Sequence, residues 1–251
     1  MLIDTHCHLD LPPLYPQLDE LLQEARLAGI ERWVVPSVHP GSWQRIARMA
    51  ADYSELRPAY GIHPQYAAEA TSEQLNRLDR LAPSGIAIGE VGLDATMGAF
   101  DLQEHLLRSQ LRIARRHGLP VLIHCRRCIG RLMVILKEEG AAEVGGIMHA
   151  FSGSLESARE CIRLGFVISL SCTLTWTTAE KPRRLARELP FEQLVLETDA
   201  PDLTPVSHRG QPNRPAWLSE VAHACAAIRD CSVDEVASCT TATARRVLPG
   251  L

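Results

Sequence analysis

The chain has 251 residues, of which 46% are hydrophobic and 22% are charged, and its formal net charge is -4. The acidic balance argues against a scaffold that holds nucleic acid through a broad basic face, because such binding needs many phosphate contacts. The chain contains no run of about 18 consecutive apolar residues, so no membrane span is predicted. The N-terminal residues do not have the pattern of a signal peptide either, so we expect a cytoplasmic protein.

The N-terminal segment IDTHCHLD at Ile3–Asp10 follows the start of a first predicted strand. In an extended strand alternate side chains share a face, so His6 and His8 are predicted to point in the same direction. Two imidazoles on one face form half of a metal site, and imidazole suits Zn, Mn, Fe, Co or Ni. The pair needs distant partners before it predicts a site.

The rest of the chain alternates between short apolar runs and helical patterns. Further strands are predicted at residues 33–36, 57–62, 85–90, 120–124, 146–149, 165–170 and 193–199. Helices are predicted at residues 17–28, 42–51, 72–81, 101–117, 131–139, 155–164, 216–228 and 233–247. Near-continuous apolar runs are typical of parallel strands that are buried on both faces. Eight of them favour a (β/α)8 TIM barrel, with residues 1–251 as a single domain.

Histidines and carboxylates stand at five of the predicted strand ends. Active-site residues of such barrels lie at the C-terminal ends of the strands. Any single histidine there could instead be a hydrogen-bonded core residue. A carboxylate that ends a buried apolar strand, however, costs several kcal/mol unless it is paired or bound to metal. The predicted metal ligands are His6, His8, Glu90, His124, His149 and Asp199.

This ligand set has a composition that suits catalysis. Four imidazoles and two carboxylates fit two hydrolytic metals about 3.5–4 Å apart with one bridging carboxylate, which predicts hydrolysis, most naturally of a phosphoester. The eight cysteines are expected to be mostly buried thiols. The Cys-x-x-Cys motif at Cys125–Cys128 leaves a redox pair or half of a zinc site as alternatives. Against both, there is no second pair, and the motif is not expected to open a thioredoxin-like helix.

Long motifs distributed along the whole chain add to these observations. They are IDTHCHLD at the start, GIHP at residues 61–64, GEVGLD at 89–94, LPVLIHCRR at 119–127, HAFSGS at 149–154, ETDAPD at 197–202 and GQPNRP at 210–215. In this order they resemble the TatD family of metal-dependent deoxyribonucleases, and they are most similar to its YjjV-type branch.

The resemblance implies a TIM barrel with two divalent metals, for which Mg, Mn and Zn are the candidates. It implies that His6, His8 and Asp199 hold one metal and that His124 and His149 hold the other. Glu90 would bridge the two ions, and Asp199 would also orient or deprotonate the attacking water as a general base. Glu90 and Asp199 are therefore the predicted catalytic residues.

Three further residues are candidates for binding substrate. His63 in the GIHP motif either contacts the scissile phosphate or caps the turn before Pro64. Arg126 lies two residues beyond His124 and, if the chain is still extended, shares its inward face. It is then either a phosphate anchor or part of a salt bridge. Asn213 lies in the long 202–215 loop, where it either orders substrate or braces the loop.

The chain departs from the family pattern at two places. Tyrosines often follow the GLD sequence in the family, whereas Asp94 is here followed by Ala95-Thr96-Met97-Gly98. Base stacking is worth about 1–3 kcal/mol per base, so their loss weakens the expected grip on single strands. Near the C-terminus, Thr243 replaces the family's usual Asn, a change expected to affect packing.

The leading hypothesis is a TatD-like deoxyribonuclease that removes nucleotides from a 3′ end with a metal-activated water. The alternative is a metal-dependent hydrolase of a small phosphodiester, ester or amide, including deacylation, on the same barrel. A non-catalytic metal-binding module is the third hypothesis. The expected partners are two divalent metals and either DNA or a small phosphoester, and a monomer is expected.

Overall fold

The strands of the barrel form a single parallel sheet in chain order. In a computed structural model that describes residues 1–251, β1 to β8 pair consecutively, each with the next. Their bounds are Leu2–Asp4, Ile30–Pro36, Leu56–Tyr60, Ala87–Asp94, Val121–Arg126, Gly146–Met148, Phe166–Leu170 and Leu194–Leu196. The Thr5 amide donates to the Leu196 carbonyl over 3.1 Å, which joins the chain after β1 to the end of β8. The predicted (β/α)8 TIM barrel is confirmed.

Nine α-helices, α1 to α9, surround the strands. Their bounds are Leu18–Leu27, Trp43–Asp52, Ser72–Leu81, Phe100–His117, Ile129–Glu138, Leu155–Arg163, Glu180–Glu188, Leu218–Arg229 and Val233–Val247. The helix ends follow local sequence signals: Thr71 and Gln74 form a capping box before α3, and Gly118 ends α4 in a left-handed conformation. None of these helices combines the length and the apolar character that a membrane crossing requires.

The apolar residues of the strands alternate between two cores. Along each strand, alternate apolar residues belong to different clusters. One set belongs to a large cluster that packs under the helices, and the other set belongs to a second cluster of ten residues. The second cluster receives one residue from every strand: Ile3, Val34, Ala59, Ala87, Leu122, Ile147, Val167 and Val195. It therefore fills the barrel interior, and its last two members are Ala244 of α9 and Leu248, which directly follows that helix. This explains why the strand sequences are apolar at nearly every position.

The prediction that every ligand residue ends a strand needs correction. β1 ends at Asp4, so His6 and His8 lie beyond it in irregular chain rather than in an extended strand. Glu90 lies inside β4, which continues to Asp94, and the register of β4 against β5 shifts between Ile88 and Val91. β5 likewise continues past His124 to Arg126. Strand ends were a useful guide to the rim but gave the wrong local conformation.

Gly92 shows how closely β4 and β5 approach each other beside the predicted site. Its φ is +154°, and a Cβ atom there would lie 1.9 Å from the His124 carbonyl oxygen. We expect Gly92→Ala to lower the free energy of unfolding by about 3 kcal/mol, since neither backbone can move without breaking the ladder. Urea denaturation would measure this. Gly98→Ala is the control, because nothing lies within 4 Å of its Cβ position, and an equal loss there would contradict the explanation.

Candidate metal centre

Four imidazoles and two carboxylates converge at the C-terminal rim of the barrel, as the sequence predicted. His6 Nε2 lies 3.3 Å from His8 Nε2 and 3.8 Å from Asp199 Oδ1. The rings of His6 and His149 stack with centroids 3.6 Å apart. His8 and His149 each place Nε2 3.6 Å from the same Asp199 oxygen. All of these residues except His124 are buried.

Glu90 stands at the centre of this cluster, and its two oxygens face different imidazoles. Oε2 lies 3.3 Å from His6 Nε2 and 3.4 Å from His8 Nε2. Oε1 lies 2.8 Å from His124 Nδ1, 3.5 Å from His63 Nε2 and 3.6 Å from His149 Nε2. A carboxylate that presents one oxygen to each of two imidazole groups has the geometry of a bridge between two cations.

Three groups within the cluster could each hold a metal ion. They are His6 with His149 and Asp199, His6 with His8 and Glu90, and His63 with Glu90 and His124. The donor chemistry fits a cation, because facing imidazole nitrogens and carboxylate oxygens repel one another unless a proton or a metal lies between them. His63 belongs to the third group, although the sequence suggested only a substrate contact or a turn cap.

The backbone holds the ligand segments together through reciprocal hydrogen bonds. The Asp199 amide donates to the His6 carbonyl over 2.9 Å, and the His8 amide donates to the Ala200 carbonyl over 2.8 Å. Asp4, which is fully buried, accepts from the His6 amide and from the amide and hydroxyl of Thr198. Asp199 has a φ of +59°, a left-handed conformation that aspartate tolerates better than most residues. These contacts join the chain after β1 to the chain after β8.

The ionisable groups of the cluster perturb one another strongly. Burial lowers the pKa of His6 to about 3, and the charge of His149 adds to this effect. Burial opposes charge on His149 as well, but Glu197, Asp199 and Glu90 raise its pKa to about 10. Burial raises the pKa of Asp199 to about 7 against the attraction of His149 and His8. Burial alone would raise the pKa of Glu90, yet His63, His149 and His6 hold it well below its ordinary value.

Two buried carboxylates outside the predicted ligand set support the imidazoles from outside. Glu197 Oε1 lies 3.0 Å from His149 Nδ1 and accepts from the Ala150 amide over 2.6 Å. Asp94 Oδ2 lies 3.3 Å from His124 Nε2. A carboxylate on the second nitrogen of a metal-binding histidine fixes the ring orientation. Both lie within the quoted motifs GEVGLD and ETDAPD, close to a predicted ligand, which was the signal available in the sequence.

The role of Glu197 leads to a prediction about metal affinity. We expect Glu197→Gln to weaken divalent metal binding by about 10- to 100-fold, because the amide no longer orients His149 through a charged partner. Competition with a chromophoric chelator measures the affinity. Glu192→Gln changes an exposed glutamate five residues earlier and serves as the control. Equal affinities in the Glu197→Gln variant and the unchanged protein would contradict the assignment.

The three predicted substrate residues have different surroundings. His63 caps the turn, since its Nδ1 accepts from the Gln65 amide over 3.2 Å, and its Nε2 faces Glu90, so a contact with the scissile phosphate stays a prediction. Arg126 is exposed, forms no ion pair and lines a cavity of about 980 Å³ beside the cluster. Asn213 does not line this cavity. It is fully buried and donates to the Thr198 and Asp202 carbonyls, which favours the bracing alternative.

The cavity extends from the imidazole cluster towards α7. Its floor includes His124, His149 and Asp199, and its outer part includes Trp176, whose indole nitrogen donates to the Thr204 carbonyl over 3.0 Å. The outer wall carries two cations, Arg126 and Lys181, and two acids, Glu180 and Asp202. The cavity therefore offers a substrate a buried cluster of metal-type ligands at one end and a surface of mixed charge at the other.

Comparisons with known proteins agree with this geometry. Residues 3–249 match the family described as TatD related DNase. The chain is 38% identical to the uncharacterized metal-dependent hydrolase YabD of Bacillus subtilis, over 98% of both chains. It is 37% identical to the uncharacterized metal-dependent hydrolase YjjV of Escherichia coli, over 94% of this chain and 93% of that protein.

Solved structures agree as well. The crystal structure of YjjV, a TatD homologue from Escherichia coli, superposes with a TM-score of 0.92 at 35% identity and covers 98% of this chain and 97% of its own. A TatD-family hydrolase from Entamoeba histolytica has the same fold, with a TM-score of 0.88 at 19% identity over 100% of this chain and 98% of its own. The chain belongs to the TatD family of metal-dependent hydrolases.

Proposed function

We propose that this protein is a phosphodiesterase of the deoxyribonuclease type that removes nucleotides from a DNA end, with the 3′ end as the expected site of attack. The observation that carries the proposal is the position of Glu90, whose two oxygens face two separate groups of imidazoles. This arrangement suits a pair of divalent ions, for which Mg, Mn and Zn remain the candidates. Two-metal sites are typical of phosphoester hydrolysis.

The assignment of ligands to two ions is the one that the resemblance to the TatD family implies, and the two oxygens of Glu90 are compatible with it. His6, His8 and Asp199 would hold one ion, His124 and His149 would hold the other, and Glu90 would contact both. His63 would supply a further nitrogen or a contact to the scissile phosphate. When bound, the metals would supply Lewis-acid stabilisation of the phosphoryl oxygens and lower the pKa of water.

The protein side chains would perform the remaining steps. Asp199, whose carboxylate is buried and faces the cluster, would accept the proton of the attacking water. Arg126 would contact a non-bridging phosphate oxygen from the cavity wall. Trp176 offers an aromatic surface in the cavity from the chain after β7, whereas Ala95-Thr96-Met97-Gly98 follow β4. The expectation of a single domain, a monomer and a cytoplasmic location stays a prediction.

A small phosphodiester is the second candidate substrate. The outer cavity wall carries equal numbers of acidic and basic side chains rather than a continuous basic track. Such a surface attracts a long polyanion only weakly, because non-specific nucleic-acid binding scales with the number of phosphates neutralised. A substrate that fills the cavity without extending beyond it suits this charge balance.

An end-labelled single-stranded oligonucleotide would test the leading proposal. The metal-stripped protein is reloaded separately with Mg, Mn and Zn, and products are separated by length. Stepwise shortening from the 3′ end that requires metal supports the nuclease. Metal binding without any shortening, combined with turnover of a small chromogenic phosphodiester, would replace it with the second candidate. Turnover of an ester or amide alone would overturn both.

A further inference from the structure

One pair of thiols stands apart from the other cysteines. All eight cysteines are free, and Cys125 Sγ and Cys128 Sγ lie 4.0 Å from each other. No other two cysteines form such a contact. Cys161, for example, contacts Met133, and Cys172 accepts from Asn213. Both members of the pair are partly exposed, and Cys125 lines the cavity beside the cluster.

The pair lies where β5 turns into α5. Cys125 is the penultimate residue of β5, and α5 begins at Ile129, directly after Cys128. Cys125 lies in the strand and only Cys128, as the N-cap, borders the helix, so the motif does not form the first turn of a thioredoxin-like helix, as expected. Zinc binding is disfavoured, because neither thiol belongs to a group of three metal-type ligands and a structural zinc needs four.

We propose that Cys125 and Cys128 are a reversible redox site. Their thiols form an intramolecular disulfide when they are oxidised by a low-molecular-weight disulfide such as oxidised glutathione. One cysteine thiolate attacks a sulfur of the glutathione disulfide, which forms a mixed disulfide and releases one glutathione. The second cysteine attacks the mixed disulfide, forms the Cys125–Cys128 bond and releases the other glutathione. Two electrons pass to glutathione, and the two thiol protons end on the two released glutathione thiols.

Cys128 is the better placed sulfur for the first attack. It precedes the first turn of a ten-residue helix, where unpaired backbone amides favour a thiolate. Contact with the Cys125 thiol, together with the backbone amides of Ala95 and Arg126, lowers the pKa of Cys128 below that of an ordinary thiol. Cys125 then resolves the mixed disulfide from a sulfur that is already adjacent.

Disulfide formation would affect the candidate metal centre, a consequence that rests on the proposed ligand role of His124. The two sulfurs must approach from 4.0 Å to about 2 Å. Cys125 directly follows His124 in the chain, so this movement pulls on the end of β5 that carries the imidazole. It also removes the thiol that donates from Cys128 to the Leu93 carbonyl over 3.4 Å, next to Asp94. We expect oxidation to weaken metal binding about tenfold.

The sequence between the two cysteines makes the disulfide easy to detect. Trypsin cleaves after Arg126 and after Arg127, so Cys125 and Cys128 leave the digest on separate peptides, residues 117–126 and 128–131. The protein is equilibrated in glutathione buffers of graded redox ratio, alkylated, digested and analysed by mass spectrometry. We expect the two peptides to be joined, two hydrogen atoms lighter than their sum, and to separate after dithiothreitol treatment.

Three variants complete the test. Cys125→Ser and Cys128→Ser should each abolish the joined species, whereas Cys231→Ser, at another partly exposed cysteine, should leave it unchanged. Metal affinity is then measured by chelator competition for the oxidised and reduced protein. Recovery of both peptides in alkylated form at every redox ratio, or a persistent glutathione adduct on Cys128, would overturn the redox site. A disulfide without any change in metal affinity would overturn its link to the metal centre.

Discussion

Glu90→Gln is expected to lower kcat/KM for metal-dependent phosphodiester hydrolysis by about 10³-fold. The substitution keeps the size of the side chain but removes the charge that faces His6 and His8 through one oxygen and His124 through the other. Loss of a bridging carboxylate removes several kcal/mol of charge stabilisation, and each 1.4 kcal/mol is a factor of ten in rate. Turnover of a chromogenic phosphodiester and metal content by elemental analysis would both be measured.

The control for this variant is Glu139→Gln. Glu139 is also a buried carboxylate, but its partners are Arg108 and Arg112 on α4 rather than imidazoles of the rim. Its loss should affect stability while kcat/KM stays within about twofold. If Glu90→Gln retained full activity, or if both variants lost activity equally, the proposed centre would be wrong.

Asp199→Asn is expected to reduce kcat by about 10²- to 10⁴-fold, the range of a general base. Asp199 faces His8 and His149 at 3.6 Å, and an amide in its place cannot accept a proton from water. Because Glu90 and all four imidazoles of the predicted ligand set are retained, we expect metal binding to persist in part. Single-turnover kinetics at saturating metal separate the lost chemical step from weaker metal binding.

Asp202→Asn provides a matched comparison for that variant. Asp202 lies in the same cavity, three residues further along the chain, but outside the groups that could hold a metal. The same change of charge there should alter kcat only slightly. A similar loss in both variants would indicate an effect of cavity charge, and Asp199 would then not be the base.

The sequence was sufficient for the barrel and for the identity of the clustered residues. Eight apolar runs separated by helical patterns define a parallel sheet that is buried on both faces, whichever neighbours the strands adopt. His6, His8, Glu90, His124, His149 and Asp199 were predicted because ligand-type side chains are costly beside buried strands unless something binds them. These arguments need only chain order and the one-dimensional pattern.

Tertiary structure alone decided how those residues meet. His6 and His8 converge through hydrogen bonds to the chain after β8 rather than through strand alternation. Glu90 faces two groups of imidazoles from a position within the register shift inside β4. The support of His149 by Glu197, the burial of Asn213 as a loop brace and the approach of Cys125 to Cys128 depend on contacts between backbone segments. A one-dimensional pattern specifies which face of an element is apolar, but not the distances between side chains of different elements.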